Sequence, residues 1–276
     1  MKKYIPVLSI AGSDCSGGAG IQADIKTISA IGCYAMSAIT SITAQNTTGV
    51  SAVERVSPQM VRAQIDAVWA DIPPLAVKTG MLFDSEIVAT VADALVRYGA
   101  ERVVIDPVMV STSGSRLIDE EAVEVMKQRL FPIATLVTPN VAEAGALAQS
   151  DDVADQVKAL RELGCRNILL KGGDSSREDY KIDYLYLEGE EDAVVLTADA
   201  VNTRNTHGTG CTLSSAIACY LALGFDIVDA CMRGKLYVTK ALGAGARVVI
   251  GQGHGPVNHL FAPRHMKYQI YDNRNR

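Results

Sequence analysis

The sequence lacks the features that would place it in several large protein classes. Lys and Arg total 26 against 31 Asp and Glu, a formal net charge of -5, so no electrostatic case exists for binding nucleic acid or an anionic membrane. No apolar run is long enough to cross a bilayer. The short apolar run at residues 5–11 ends at a glycine loop containing Asp14, unlike a signal peptide. We therefore expect a cytoplasmic protein.

Paired cysteine motifs are also missing. None of the six cysteines forms a C-x-x-C pair, which argues against a zinc site, and without an export signal we expect free thiols. Cys15 and Cys211 differ from the other four because each stands in a glycine-rich loop. These two thiols are therefore the ones to consider for chemistry.

Two common nucleotide-binding motifs are absent or incomplete. Gly234 and Lys235 are followed by Leu236, with no glycine five positions earlier, so there is no Walker A loop. Residues 18–23 match the dinucleotide pattern G-x-G-x-x-A, but the next predicted strand ends at residues 43–46 without the acid that binds a ribose. A nicotinamide oxidoreductase therefore stays a weak alternative.

What is present is a regular alternation of strand-like and helical runs. We predict one domain over residues 1–265, with a frayed polar tail at 266–276 and a mostly parallel sheet covered by helices on both faces, an α/β fold. The predicted strands are 7–11, 36–43, 76–79, 102–106, 136–138 and 167–171, with a hairpin of 184–187 and 194–197. The predicted helices are 21–31, 58–71, 85–98, 120–130, 141–148, 153–163, 208–223 and 227–246.

The most informative segment is residues 205–212 (NTHGTGCT), which precedes a long helical pattern. Its glycines allow a ligand to approach the backbone, and free N–H groups at a helix start suit a phosphate. His207 lies in this loop and is placed to donate a hydrogen bond. Cys211 lies in the first turn of the helix, where we expect the helix field to lower its pKa. The segment predicts a phosphoryl-transfer site.

Charged residues follow several predicted strands, where an α/β sheet binds its ligands. Asp106 and Glu143 are candidates for holding Mg²⁺, which prefers oxygen ligands and bridges substrate phosphates. Lys171 precedes two glycines and is placed to reach a phosphate, and Lys235 has a weaker case for the same role. Backbone amides of the first glycine loop, residues 12–20, together with Asp24 just after it, predict a small-molecule pocket.

Eight segments together resemble the hydroxymethylpyrimidine/phosphomethylpyrimidine kinases of thiamine synthesis, a branch of the ribokinase superfamily. They run in order over nearly the whole chain, and the first and seventh are the most specific. They are residues 11–27 (AGSDCSGGAGIQADIKT), 43–49 (TAQNTTG), 78–82 (KTGML), 106–114 (DPVMVSTSG), 138–143 (TPNVAE), 171–173 (KGG), 204–212 (RNTHGTGCT) and 255–257 (GPV).

The resemblance implies a ribokinase-like three-layer α/β/α fold, use of ATP and Mg²⁺, a small pyrimidine substrate, and a homodimer. It implies two successive phosphorylations, of an alcohol and then of its monophosphate. It also assigns roles. Gly12, Asp24, Gln45, Met81 and Val108 would line the pyrimidine pocket; Gly208, Thr209 and Gly210 would form an anion hole; Cys211 would accept or orient the proton of the substrate hydroxyl; Asn140, Lys171, Thr206 and Lys235 would contact nucleotide phosphates; Asp106 and Glu143 would organise magnesium, mainly through water.

Alternatives remain open at this point. Pyridoxal kinase is the nearest, because its substrate is also a small aromatic with a hydroxymethyl group. Relatives specialised for pyridoxal carry a lid cysteine, whereas residues 110–114 (VSTSG) have none, which favours the pyrimidine. Gln45 departs from the glutamate of some relatives. A nucleotide-binding protein without activity is a further alternative, disfavoured because Asp106, Lys171 and Cys211 are all present.

Overall fold

A computed structural model of the protein describes residues 2–109, 118–174 and 179–270. Its strands are β1 Lys2–Tyr4, β2 Pro6–Ala11, β3 Tyr34–Ile39, β4 Ser41–Asn46, β5 Gly49–Arg55, β6 Ala76–Thr79, β7 Val103–Ile105, β8 Leu136–Val137, β9 Ile168–Asp174, β10 Tyr180–Tyr186, β11 Val194–Asp199 and β12 Tyr268–Ile270. Its helices are α1 Gly20–Ile31, α2 Pro58–Asp71, α3 Ser85–Arg97, α4 Glu120–Arg129, α5 Val141–Ala148, α6 Val153–Glu162, α7 Thr209–Ala222 and α8 Ile227–Gly245.

The described residues form one eight-stranded sheet in the order β11-β10-β9-β8-β7-β6-β2-β3. Strands β3 to β9 of this order pair in parallel, and β10 and β11 close the far edge as an antiparallel hairpin. The chain leaves β2 towards β3 on one side and later returns to β6 on the other. Such a reversal of strand order opens a crevice at the carboxyl ends of the strands.

Alternation along the strands sorts the core into two layers. Val103 and Ile105 of β7 pack with helices α2 to α6, whereas Val104 between them packs with α1, α7 and α8 on the opposite face. Successive side chains of a strand point to opposite faces, so both faces of a covered parallel sheet are apolar. The predicted three-layer α/β/α architecture is confirmed.

Residues 36–43 were predicted as a single strand, and this is wrong. Strand β3 ends at Ile39, and β4 begins at Ser41 in a separate two-stranded sheet with β5. Thr40 lies at the break: its N–H bonds to the Ala11 carbonyl and its hydroxyl donates to the Met81 carbonyl at 2.7 Å. The sequence has no glycine or proline at this break to indicate a turn. The long-range contacts of Thr40 fix it instead.

The tail also differs from the prediction. Tyr268–Ile270 form β12, which pairs antiparallel with β1 Lys2–Tyr4. Fraying is therefore the wrong expectation for these three residues, whose backbone groups find partners at the other end of the chain. None of the helices within the described ranges combines the length and apolar character that crossing a membrane requires.

Candidate active site

A cavity of about 730 Å³ lies at the carboxyl edge of the parallel strands. Fifteen of the sixteen predicted site residues line it, although they come from eight separate stretches of the sequence. These fifteen are Gly12, Gln45, Met81, Asp106, Val108, Asn140, Glu143, Lys171, Thr206, His207, Gly208, Thr209, Gly210, Cys211 and Lys235. The lid residues 110–114 lie outside the described part of the chain.

The loop before α7, residues 205–208, is called the anion loop, and its backbone contacts that of the first glycine loop. Gly208 has φ +80°, the left-handed region that favours glycine, and a Cβ there would overlap the carbonyl oxygen of Gly18. The next residue, Thr209, begins α7, and its N–H bonds to the Thr206 carbonyl at 3.3 Å. Gly208, Thr209 and Gly210, the residues predicted to form the anion cradle, all line the cavity.

Gly210 lies close to two charged side chains. A Cβ added there would lie 3.4 Å from the Asp106 carboxylate and 3.6 Å from Lys171 Nζ. The start of α7 therefore lies against Asp106, which follows β7, and Lys171, which lies within β9. Anion cradle, carboxylate and lysine form one continuous wall.

The Cys211 thiol lies at the first turn of α7 and is partly exposed to the cavity. Burial, the largest cause, raises its pKa; Lys78 lowers it, Asp24 and Asp106 raise it, and the result is a pKa of about 11. The expectation that the helix field lowers this pKa below its usual range is therefore wrong. The sequence shows the helix start but not the two carboxylates that fold beside the sulfur.

Asp106, Glu143 and Lys171 form a charged cluster on one wall. Lys171 Nζ lies 3.0 Å from Asp106 and 4.0 Å from Glu143. Burial raises the pKa of Glu143 to about 6, with Lys171 lowering it and Asp106 raising it. Burial alone would lower the pKa of Lys171, but Asp106 and Glu143 raise it. The cluster holds two carboxylates and a single ammonium group.

This cluster fits a divalent cation only if other ligands complete the site. Among the described residues, no group of three or more His, Cys, Asp and Glu side chains is arranged to hold a metal ion. Two neighbouring carboxylates that repel each other nevertheless suit Mg²⁺, which keeps several waters and shares substrate phosphates. Asp106 and Glu143 are the pair that would hold it.

Asn140 and Glu143 position one another at the start of α5. The Asn140 side chain accepts a hydrogen bond from the Glu143 N–H at 2.8 Å, and Glu143 accepts one from the Asn140 N–H at 2.9 Å. This capping box fixes both side chains at the end of β8. The backbones of Asn140 and Lys171 form a parallel β-bridge. This bridge holds the segment after β8 beside β9.

Lys235 reaches the cavity from α8 and is paired there. Its Nζ lies 2.6 Å from Asp183 Oδ2, while Asp183 Oδ1 accepts a hydrogen bond from the Gly172 N–H at 2.9 Å. The Asp183 carboxylate therefore connects Lys235 to strand β9, which carries Lys171. Thr206 stays close by, accepting a backbone bond from Thr209.

His207 is held by Asp14, which sequence reasoning did not single out. The His207 Nε2 atom lies 2.8 Å from Asp14 Oδ2 and 3.4 Å from Gln45 Nε2. Burial alone would raise the pKa of Asp14, but hydrogen bonds from His207, Ser16 and Ala19 hold it well below its usual range. His207 thus joins the anion loop to the first glycine loop and to Gln45.

Gly12 forms part of the floor of the predicted pyrimidine pocket and is tightly packed there. A Cβ would lie 2.6 Å from the Met81 methyl carbon and from the Ser41 hydroxyl, so a larger residue would have to displace one of them. The Gly12 N–H bonds to the Met81 carbonyl, which joins the loops after β2 and β6 at the reversal point of the sheet.

Asp24 is the predicted site residue that does not line the cavity. Its carboxylate is fully buried beneath the floor, where it pairs with Lys78. Lys78 lines the floor and was missed as a site residue. A lysine inside the four-residue buried strand β6 is the signal that would have found it, because an unpaired charge there is costly.

A family model described as phosphomethylpyrimidine kinase matches residues 14–258 of the chain. The hydroxymethylpyrimidine/phosphomethylpyrimidine kinase of Rhizobium meliloti is 48% identical over 259 residues, covering 92% of this chain and 96% of that protein. The thiamine biosynthesis bifunctional protein of Geobacter sulfurreducens is 47% identical over 93% of this chain. The chain spans 52% of the length of that bifunctional relative.

Solved structures of two kinds of kinase share the fold of this chain. The crystal structure of a phosphomethylpyrimidine kinase from Clostridium difficile is 44% identical with a TM-score of 0.74, over 86% of this chain and 99% of that one. The pyridoxal kinase of Staphylococcus aureus, solved with AMP-PCP and pyridoxal, is 32% identical with a TM-score of 0.83, over 96% of this chain and 97% of that one. The fold is thus shared with kinases of both small-molecule classes.

Proposed function

Because the chain belongs to the phosphomethylpyrimidine kinase family, we propose that it phosphorylates 4-amino-5-hydroxymethyl-2-methylpyrimidine with ATP, and then phosphorylates the monophosphate, for thiamine biosynthesis. The observation that supports this most is the convergence of fifteen predicted site residues on one cavity. Such convergence is not expected of segments that merely preserve a fold. Identities of 48% and 47% to thiamine-pathway proteins favour the pyrimidine over pyridoxal.

The proposed chemistry uses the pyrimidine pocket, the side chains that contact ATP phosphates and the anion cradle together. The substrate ring lies over Gly12 between Gln45, Met81 and Val108, with its hydroxymethyl group towards Cys211. Lys171, Asn140, Thr206 and Lys235 contact the phosphates of ATP, and Asp106 and Glu143 would hold Mg²⁺. Bound magnesium would neutralise charge on the phosphates.

The transfer forms a bond from the substrate oxygen to the terminal phosphorus as the bond to the ADP oxygen breaks. Backbone N–H groups of Gly208, Thr209 and Gly210 stabilise the charge on the moving group. Cys211, with a pKa of about 11, stays a thiol at neutral pH, so its sulfur orients the hydroxyl rather than removing its proton beforehand. The hydroxyl proton passes to an oxygen of the transferred phosphoryl group as the new bond forms. Phosphoryl transfer needs little covalent help, so positioning supplies most of the catalysis.

The proposal includes a homodimer in the cytoplasm. Free thiols persist in that compartment, and the six cysteines are free. Light scattering on the purified protein should give twice the 29.4 kDa of one chain.

The deciding experiment is a coupled ADP-release assay with Mg·ATP and three acceptors: the hydroxymethylpyrimidine, its monophosphate and pyridoxal. Turnover of both pyrimidines, with kcat/KM above that for pyridoxal, supports the proposal. Preference for pyridoxal would establish a vitamin B6 kinase instead. Turnover of the alcohol but not the monophosphate would limit the function to the first step.

A further inference from the structure

A buried ion pair lies beneath the start of α7. Lys78 Nζ is 3.0 and 2.9 Å from the two carboxylate oxygens of Asp24, and neither side chain is exposed. Asp24 also accepts hydrogen bonds from Ser9 at 2.5 Å and from Ser215 at 2.7 Å. Strand β2, helix α1, strand β6 and helix α7 therefore meet at one carboxylate.

The geometry of α7 places the Cys211 thiol above this pair. Cys211 and Ser215 are four residues apart, so they share a face of the helix. Because Ser215 donates to Asp24, that face is turned towards the ion pair. The neighbouring face carries Gly210 and Ser214, and Ser214 Oγ lies 3.3 Å from Asp106.

Charged groups face the thiol from four elements. Lys78 comes from β6, Asp24 from α1, Asp106 from the loop after β7, and Lys171 from β9. Lys78 is the strongest influence that lowers the pKa of Cys211, while Asp24 raises it. Lys78 and Asp24 carry opposite charges, so they act on the thiol in opposite directions.

We propose that Lys78 and Asp24 are positioning residues that set the reactivity of the Cys211 thiol from beneath the cavity floor, Lys78 favouring the thiolate and Asp24 restraining it. Asp24 thereby acts on the site without lining the cavity. The consequence for turnover rests on the phosphoryl-transfer function proposed above. The consequence for the thiol itself does not.

The test measures alkylation of Cys211 by iodoacetamide as a function of pH in the unliganded full-length protein. Mass spectrometry of the Cys211 peptide separates it from the exposed Cys15. The variants are Lys78→Met, Lys78→Arg, Asp24→Asn and the double variant Lys78→Met with Asp24→Asn. The kcat–pH profile and the KM for ATP are measured on the same proteins, and circular dichroism verifies folding.

Opposite shifts are expected from the two single variants. At a fixed pH below the thiol pKa, Lys78→Met should slow alkylation by at least about tenfold, a shift of one pKa unit, and Asp24→Asn should speed it by a similar factor. Lys78→Arg should stay close to the native rate because it keeps the charge. The kcat–pH profile should move in the same directions with little change in the KM for ATP.

A merely structural role predicts something else. Shifts in the same direction for both single variants, or unchanged alkylation in folded variants, would overturn the proposal. If Lys78→Met does not fold, the comparison of Asp24→Asn with the double variant decides, since removal of Lys78 must then reverse the faster alkylation. An absence of pyrimidine turnover alongside opposite alkylation shifts would refute the proposed function and leave the ion-pair proposal standing.

Discussion

At the scale of single residues, the sulfur of Cys211 shows how fold outweighs local sequence. A helix N-terminus favours an anion by about 0.3–1 kcal/mol, whereas a pKa moved from 9.0 to about 11 corresponds to about 3 kcal/mol against the thiolate. Burial and two carboxylates therefore win over the helix dipole. The residue that the sequence suggests as a ready base is instead a neutral thiol held in place.

Removing that sulfur tests its role. We expect Cys211→Ala to lose at least ~100-fold in kcat, the usual scale of an acid–base or orienting contribution, with nucleotide affinity nearly unchanged. Steady-state kinetics and a calorimetric Kd for ATP measure the two separately. The matched control is Cys165→Ala, which removes a buried thiol outside the cavity and should keep turnover. Near-normal kcat in Cys211→Ala would rule out the proposed role.

A second residue-scale prediction concerns stability. His259 is 4% exposed and its Nε2 has no hydrogen-bond partner among the described residues. Burial, with Lys26 and His207, lowers its pKa from 6.5 to about 4. The unfolded chain therefore binds the proton first, so stability is complete above about pH 6.5 and falls as pH drops towards 4.

Thermal melts from pH 7.5 to pH 4 measure this dependence. In His259→Gln, which carries no titrating ring, we expect a shallower decline of Tm over that range than in the native protein. The comparison uses the slope, so an overall loss of stability from the substitution does not affect it. Parallel curves would show that His259 does not contribute.

At the scale of elements, α7 carries the site because glycine begins it. Gly208 allows the left-handed turn, lets the anion loop touch the first glycine loop, and lines the cavity together with Thr209 and Gly210. Residues one turn later, Ser214 and Ser215, then bind Asp106 and Asp24. One helix start thus joins the anion cradle to two carboxylates.

The two ends of α7 offer a matched pair of variants. Gly208 and Gly224 both have positive φ, at +80° and +89°, but a Cβ at Gly224 would meet nothing within 4 Å. Gly208→Ala adds an overlap with the Gly18 carbonyl to the backbone strain, so it should cost more in Tm and at least ~100-fold in kcat. Gly224→Ala should lose a few degrees at most and retain kcat. Equal effects on kcat would contradict the cradle.

Elements with strong local patterns were predictable from the sequence, and those fixed at long range were not. Helix α2 was predicted with the right bounds because Pro58 begins it and its polar and apolar residues alternate with helical period. The turn at Thr40 and the strand β5 were missed, since contacts with distant segments determine them. The site loops were predictable as strand ends. Lys78 was missed although its place in a buried strand signals it, whereas its pairing with Asp24, 54 residues away, could not be predicted.

At the scale of the whole molecule, several basic side chains that line the cavity are paired with carboxylates of the described residues. Lys78 pairs with Asp24, Lys171 with Asp106, Lys235 with Asp183 and His207 with Asp14. The ammonium groups are therefore already oriented, which lowers the cost of ordering them around a phosphate. An anion that enters this cavity must compete with Asp106 for Lys171.

Ligand-dependent melting tests this arrangement in the intact protein. Mg·ATP at about 100 times its Kd should add about 2.7 kcal/mol and raise Tm by several degrees, because it binds the native state alone. NADH at equal concentration should leave Tm unchanged. A shift with NADH but none with Mg·ATP would favour the oxidoreductase alternative.

The pairing of β1 with β12 has a topological consequence. Lys2 and Ile270 are register partners, so two points 268 residues apart along the chain lie side by side in space. A peptide linking Ile270 to Lys2 would join these two points, and a break at the exposed Gly189 turn between β10 and β11 would then give a circular permutant with the same neighbours around every residue of the cavity.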